Sequence, residues 1–139
     1  MDKKFINIET VINATAEKVW IFFTEPKHIC NWCFATDDWH VPLAENDLKV
    51  NGKFKTRMAA KDGSFEFDFE GIYTGIEKES KIEYRMSDGR EVNINFQNEG
   101  TNQIKINESF EPEDSNSIEM QRDGWQAILN NFKKYVESN

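Results

Sequence analysis

The C-terminal end of the chain limits the possible folds most, because residues 116–136 read as one long amphipathic helix. At 3.6 residues per turn, the large apolar side chains of this segment fall within an arc of roughly 100°. These side chains are Ile118, Trp125, Ile128, Leu129, Phe132 and Val136. Almost everything before the segment reads as strands and turns, so we expect the apolar stripe to pack against a sheet.

Such a helix is either a plain cover over a core or one wall of a ligand cavity. Fully burying five large side chains contributes roughly 8–15 kcal/mol, so a core alone would explain the stripe. A cavity is lined by the same residue types. Composition therefore leaves both interpretations open. The start of the helix is predicted at Asn116, because Glu119 three residues later fits a capping arrangement.

The N-terminal part of the chain predicts one strand and two short helices. Residues 5–13 alternate apolar and polar side chains, as a half-buried strand does. Thr15 is the predicted N-cap of the first helix, and Pro26 suits the first turn of the second. The second helix is expected to carry His28, Ile29, Trp32 and Cys33. Residues 34–46 have a mixed polar composition that predicts an ordered loop.

Turn signals then divide the chain into antiparallel strands. The signals are Asn51-Gly52, Asp62-Gly63, Asp88-Gly89 and Asn98-Glu99-Gly100. Side chains of one parity in each strand are expected to face inward. They are Phe54, Thr56, Met58 and Ala60, then Phe65, Phe67 and Phe69, then Ile82, Tyr84 and Met86, then Val92, Ile94 and Phe96, and finally Ile104, Ile106, Glu108 and Phe110.

The opposite parity is charged and predicts a solvated outer face. Its carboxylates Glu66, Asp68 and Glu70 are expected to form cross-strand pairs with Lys53, Lys55 and Arg57. Gly71 and Gly75 are predicted to mark bends or bulges. The order strand, two helices, five or six strands and a long helix predicts an α+β fold. We expect about six to seven strands in one domain over residues 1–139.

Composition narrows the classes of partner. The formal net charge of −8 argues against a nucleic-acid backbone as the main partner and against docking on an anionic membrane. The chain has no apolar run near twenty residues, so no membrane insertion is expected. Residues 1–5 lack the apolar region of a signal peptide, which predicts a cytoplasmic protein. The two cysteines are compatible with a reducing compartment.

Several motifs resemble the START-like superfamily. The opening motif is Asn13-Ala14-Thr15-Ala16-Glu17-Lys18-Val19-Trp20, followed by Phe23-Thr24-Glu25-Pro26 and Trp32. Residues 47–54 and Gly71-Ile72-Tyr73 fit the same superfamily, as do residues 110–113 and 121–133. The nearest branch is named after the activator of the ninety-kilodalton heat-shock chaperone's ATPase, here in a single-domain form. The resemblance covers almost the whole chain.

The resemblance implies a helix-grip fold, in which a curved antiparallel sheet wraps the C-terminal helix around a cavity. Members of the superfamily bind lipids, sterols, plant hormones or polyketides, and some are cyclases or aromatases. The resemblance implies no catalytic set and no cofactor for this chain. It favours a binding protein for a small hydrophobic ligand. A cochaperone that acts on a heat-shock chaperone and a cyclase-like enzyme are the alternatives, and the protein is expected to be a monomer or homodimer.

Two polar residues break the inward-facing pattern. Glu108 shares the parity of its apolar neighbours, and Gln121 lies inside the apolar arc of the helix. A buried polar group without a partner is destabilising by about 1–3 kcal/mol. The two residues therefore lie at a solvated end of the fold, bind a ligand or bond each other. The predicted cavity residues are Trp32, Trp39, Phe54, Met58, Phe67, Phe69, Tyr84, Met86, Phe96, Glu108, Gln121 and Trp125.

Gly124 stands in the middle of the predicted helix, where glycine is less favourable than alanine by roughly 1 kcal/mol. Space for a ligand would justify it. Close packing against a strand would justify it equally well.

Other chemistry-bearing residues favour plain structural interpretations. Cys30 and Cys33 have CxxC spacing, but they lack both a thioredoxin-like setting and the further ligands of a tetrahedral zinc site. We interpret them as two partly buried thiols. His28 and His40 have no accompanying nucleophile motif. Residues 37–40 include two aspartates and a histidine, and they read as a solvated loop. We therefore predict no metal site and no catalytic residue.

Overall fold

One curled sheet and one long helix form the framework of the protein. The computed structural model describes residues 4–139. Its elements are β1 (Ile6–Ile12), α1 (Ala16–Thr24), α2 (Pro26–Ile29), β2 (Trp39–Asn46), β3 (Lys53–Ala60), β4 (Glu66–Glu77), β5 (Lys81–Met86), β6 (Glu91–Gly100), β7 (Gln103–Phe110) and α3 (Ile118–Ser138). The seven antiparallel strands follow the order β1-β7-β6-β5-β4-β3-β2. The predicted α+β helix-grip architecture is confirmed.

The N-cap of the long helix α3 lies one residue later than predicted. Ser117 is its N-cap, and the hydroxyl of Ser117 accepts a hydrogen bond from the Met120 amide at 3.1 Å. Asn116 is therefore not the cap. The apolar arc holds for Phe132 and Val136, which are completely buried. Ile118 is 46% exposed despite the same angular position as Val136, because it is the first residue of the helix.

The N-terminal helices also differ from prediction in one boundary. The Thr15 cap is confirmed, since the Lys18 amide donates to the Thr15 hydroxyl at 3.2 Å. Helix α2 is only four residues long and ends at Ile29. Trp32 and Cys33 consequently lie in the turn that follows α2 rather than in the helix itself.

The segment predicted as a loop contains an edge strand. Its C-terminal part forms β2, which pairs antiparallel with β3. The pairing register shifts between His40 and Leu43, on either side of Pro42. Proline cannot donate to a strand ladder and is confined to edges and bulges. The presence of Pro42 therefore argued against a strand in the sequence. A strand that contains this proline is possible here because β2 lies at the edge of the sheet.

The inward parity of the remaining strands is largely confirmed. Buried side chains on this face include Ile82, Tyr84, Met86, Val92, Ile94, Phe96, Ile104, Ile106 and Phe110. On the outer face Arg57 pairs with Asp68 at 2.8 Å and Lys55 with Glu70 at 3.7 Å. Lys53 lies opposite Ile72 instead of a carboxylate. The last predicted turn also moves, because β6 continues to Gly100 and the turn lies at residues 101–102.

Phe65 and Phe67 are more exposed than their predicted inward-facing row implies, at 59% and 42%. Strand β4 pairs with β3 from Glu66 onward, but it pairs with β5 only from Gly71 onward. The β3–β4 hairpin therefore projects beyond the end of β5. Aromatic side chains on the projecting part have no third strand beside them.

The two glycines of β4 serve different purposes. The predicted bulge is confirmed near Gly75, where the register with β5 shifts. Gly71 instead permits close packing, because a Cβ atom there would lie 2.7 Å from a ring carbon of Phe54. Among residues 4–139, no helix is both long and apolar enough to cross a membrane.

Candidate functional site

A cavity of about 440 Å³ separates the inner face of the sheet from the N-terminal half of α3. The ends of α1 and α2, the turn after α2, and strands β3 to β7 supply the other walls. Most of the predicted cavity residues line it. They are Trp32, Phe54, Met58, Phe67, Phe69, Tyr84, Glu108, Gln121 and Trp125.

Three predicted residues lie elsewhere. Met86 and Phe96 are buried in the packed core, where Phe96 contacts Trp20 edge-on at 5.4 Å between ring centroids. Trp39 lies on the edge strand, with its ring 6.1 Å from that of Phe67. Parity alone could not exclude these positions, because it states which face a side chain occupies and not which part of that face is open.

The structure adds lining residues that the sequence did not single out as a site. They come from strand β4, from turns and from the helices, and include Phe23, Ile29, Cys33, Tyr73, Arg90, Glu113, Met120, Ile128 and Leu129. Arg90 and Glu113 lie in connections between elements. No periodic signal exists in such segments, so their position depends on how the elements are joined in space.

Aromatic rings form much of the cavity wall. Trp125 stacks on Phe110 with ring centroids 3.9 Å apart and an interplanar angle of 10°. Phe69 meets Trp125 and Tyr84 edge-on at about 6 Å. Phe54 meets Tyr84 in the same manner at 4.8 Å. These offset and edge-on contacts hold the rings in place, so the wall is a packed surface.

Glu108 is a buried acidic residue in this apolar wall. It is 9% exposed, and its carboxylate makes no hydrogen bond or ion pair with other residues of the described chain. Burial disfavours the ionised form and raises the pKa of Glu108 to about 7. Near neutral pH this carboxyl group is therefore divided between its charged and neutral forms.

Two further titratable groups lie close to Glu108. Burial raises the pKa of the Tyr84 phenol well above its usual value, and the negative charge of Glu108 raises it further. The same two causes raise the pKa of the Cys33 thiol to about 12. Burial also raises the pKa of Cys30. Neither thiol has the lowered pKa of a reactive cysteine.

Gln121 is buried but fully engaged. Its Oε1 atom accepts from the Glu113 amide at 2.8 Å, and its Nε2 atom donates to the Asn116 carbonyl at 2.9 Å and to the Glu113 carbonyl at 3.1 Å. Gln121 thus fastens the loop before α3 to the helix. Pairing of Gln121 with Glu108, one of the predicted alternatives, does not occur.

Gly124 faces open space. A Cβ atom built at this position would have no neighbouring atom within 4 Å, and Gly124 lines the cavity. Close packing against a strand is therefore the wrong explanation for this glycine. The missing side chain leaves room between the helix and the sheet.

The cavity reaches the surface beside the first turns of α3. Met120 and Phe67 both line the cavity, yet they are 61% and 42% exposed. Arg90 also lines it and is held in place: its Nε atom donates to Asp88 Oδ2 at 2.8 Å and its guanidinium also contacts the Glu111 carbonyl at 3.4 Å. We refer to this opening, bounded by Phe67, Arg90 and Met120, as the mouth.

The histidines lie outside the cavity wall. His28 Nδ1 lies 2.8 Å from the Tyr135 hydroxyl, and its ring stacks on Phe22 at 4.0 Å. Burial is the main cause that lowers the pKa of His28. His40 is exposed on β2, and Asp37 and Asp38 are exposed just before that strand.

A curled antiparallel sheet that grips a C-terminal helix around an apolar cavity defines the START-like, helix-grip class of protein. Comparison with known families makes the assignment specific. Residues 13–137 match the family described as "Activator of Hsp90 ATPase homolog 1-like protein". The chain belongs to this AHSA1-like family.

Solved structures agree with this assignment. An AHSA1-like protein from Aeromonas hydrophila is 41% identical, with 97% of this chain and 93% of that chain covered and a TM-score of 0.91. A protein from Cytophaga hutchinsonii is 51% identical, with 96% and 92% covered and a TM-score of 0.83. A protein from Chromobacterium violaceum, 21% identical with 98% and 99% covered, shares the fold with a TM-score of 0.86. No protein with a curated description matches the chain.

Proposed function

We propose that the protein is a cytoplasmic binding protein for a small hydrophobic ligand held between the sheet and α3. The cavity carries this proposal. Its volume of about 440 Å³ lies in the range of small-molecule sites, which are apolar clefts with a few oriented polar groups. Phe54, Phe69 and Trp125 supply apolar walls, and Glu108 supplies a polar group.

Gly124 supports the same interpretation. A glycine inside a helix is less favourable than alanine by roughly 1 kcal/mol, and nothing near Gly124 would obstruct a methyl group. The chain therefore keeps a less stable residue at a place where it widens the cavity. A ligand bound in that space explains why position 124 is glycine, whereas packing within the protein does not.

A graded series at Gly124 tests this proposal directly. Binding of Nile red, an uncharged hydrophobic dye, is measured by fluorescence titration. Gly124→Leu fills the space and is expected to lower the affinity by about tenfold or more. Gly124→Ala is the matched control, because it removes the glycine with little loss of volume, and it should keep the affinity within about threefold. Absence of saturable binding to the unaltered protein would contradict the proposal.

A chaperone-directed role is the competing proposal, and the family description favours it by naming an activator of the Hsp90 ATPase. The experiment is affinity capture of a purified bacterial chaperone of the same class, followed by its ATPase rate. Retention at micromolar concentration with a change in rate would support this role. Gly124→Leu separates the two proposals, because it should weaken ligand binding by about tenfold or more and leave a surface-directed chaperone contact unchanged.

A further inference from the structure

Glu108 is exceptional within its own row of the sheet. Strand register places it between Ile94 of β6 and Ile8 of β1, with Ile82 of β5 beyond Ile94. The row therefore reads isoleucine, isoleucine, glutamate, isoleucine across four strands. Each isoleucine is at least 96% buried. A fourth isoleucine would suit the packing pattern, so the carboxylate is not explained by the fold.

Two other buried polar residues of the cavity wall have protein partners. The Thr24 hydroxyl donates to the Trp20 carbonyl at 2.8 Å, and the Gln121 amide bonds the loop before α3. Glu108 has no such partner in residues 4–139, and it borders the cavity. An unpaired buried carboxylate is strongly unfavourable. A partner for this carboxyl group therefore has to come from the cavity that it borders.

The charges of the lining indicate what kind of group this is. Arg90 is the basic residue of the wall, and its guanidinium is bound to Asp88 and to the Glu111 carbonyl at the mouth. Glu113 is the other acidic lining residue. Its carboxylate accepts hydrogen bonds from the backbone amides of Ser115 and Asn116. A ligand carboxylate or phosphate would meet Glu108 without a free counter-charge. A cation would supply the charge that Glu108 lacks.

The aromatic rings of the cavity wall suit a cation as well. Tyr84 lies close enough to Glu108 for the carboxylate charge to act on its phenol, and Phe69 bridges Tyr84 and Trp125. Aromatic faces attract ammonium groups through their quadrupoles. A cavity whose wall carries both this carboxylate and aromatic rings suits a protonated amine on an apolar body.

We propose that the ligand of the cavity is a hydrophobic amine, whose protonated nitrogen pairs with Glu108 while its apolar part lies against Phe69 and Trp125. This inference rests on the proposed binding function. It assigns the class of ligand and the residue that selects it.

Three probes with the same ten-carbon chain test the head-group preference. Decylamine, decanol and decanoate are titrated separately by calorimetry at pH 7 and physiological salt. The amine is expected to bind about tenfold or more tightly than the alcohol, since a hydrogen bond between two charged groups is stronger than one between neutral groups. Decanoate is expected to bind most weakly, because its charge repels that of Glu108.

Glu108→Gln should remove the amine preference while decanol affinity stays within about threefold. Glu99→Gln is the matched control, because it makes the same change of charge at an exposed position outside the cavity wall and should leave the preference intact. An equal effect of the two variants would overturn the inference, since it would reveal a general attraction of the amine to an acidic protein.

The head-group ranking of the unaltered protein decides the matter even if a variant misfolds. Equal affinity for the three probes, or tightest binding of decanoate, would overturn the amine inference and leave the binding function standing. Failure of all three probes to bind would overturn both proposals together.

Discussion

The two halves of α3 have different surroundings although they belong to one continuous helix. In the C-terminal half, Leu129, Phe132 and Val136 are buried against the core. In the N-terminal half, Gln121 binds the preceding loop and Gly124 faces open space. Between them Trp125 stacks on Phe110. One half thus contributes packing, and the other borders a space that the protein itself does not fill.

This difference separates stability from binding along a single element. A substitution in the packed half removes buried contacts and should lower the free energy of unfolding. A substitution in the cavity half should alter binding with little loss of stability, or even with a gain. The following predictions are ordered by the size of the expected effect.

Phe132→Ala should have the largest effect on stability. The ring is completely buried and contacts Phe23 and Trp32 at 5.1 and 4.7 Å between centroids. Removing it should lower the free energy of unfolding by about 3–5 kcal/mol, measured from urea denaturation. A decrease below about 1 kcal/mol would show that the C-terminal half is not packed more tightly than the cavity half.

On the cavity side, Glu108 should make the free energy of unfolding depend on pH. Glu108 titrates near 4.5 in an unfolded chain and at about 7 in the folded protein. The folded state therefore retains this proton at pH values where the unfolded state has released it. The contribution of Glu108 to stability is highest below pH 4.5 and is lost as pH rises to 7, in total by about 3 kcal/mol.

The measurement is urea denaturation of the unaltered protein and of Glu108→Gln at pH 5 and pH 7.5. The difference between the two proteins should change over this range as Glu108 ionises. Taking this difference also removes the contribution of His28, whose lowered pKa makes the stability rise with pH instead of fall. The raised pKa values of Tyr84 and Cys33 keep these groups neutral throughout. A pH-independent difference would mean that Glu108 has an ordinary pKa.

Gln121→Leu should loosen the start of α3 with an intermediate effect. It leaves the backbone amide of Glu113 and the carbonyl of Asn116 without their side-chain partner. The free energy of unfolding should fall by about 1–3 kcal/mol. Hydrogen exchange should accelerate at residues 113–117 and remain slow around Phe132. Uniform acceleration along α3 would show that the two halves unfold together.

Gly124→Ala should have the smallest effect and the opposite sign. The methyl group meets open space, and alanine is the better helix former. The free energy of unfolding should rise by about 0.5–1 kcal/mol, measured by thermal and urea denaturation. A loss of stability would show that the space beside Gly124 is narrower than the structure indicates.

Most of the framework could be predicted because backbone geometry sets side-chain direction. Alternation along a strand places Ile106, Glu108 and Phe110 on the same face, and the structure confirms that face as buried. The strand containing Pro42 could not be predicted in this way, since its irregular register breaks the alternation. The exposure of Phe65 and Phe67 was also unpredictable, because it follows from β4 extending past β5.

The candidate site was predicted in composition but not in arrangement. Glu108 and Gln121 stood out equally as polar residues at buried positions. The structure gives Gln121 hydrogen bonds to a nearby loop and leaves Glu108 without a protein partner. That distinction depends on a loop whose path has no periodic signal. Arg90 likewise lines the cavity only because of the path taken by the turn between β5 and β6.

The sequence by itself therefore determined most of the elements, their inner faces and the inward direction of Glu108, because these follow from periodicities within each segment. Only the tertiary structure decided that Gly124 faces space, that Gln121 is satisfied and that Glu108 meets an open cavity. The reason is physical: a side chain's partners are set by distances between elements far apart in sequence. Those distances exist only once the sheet has closed around α3.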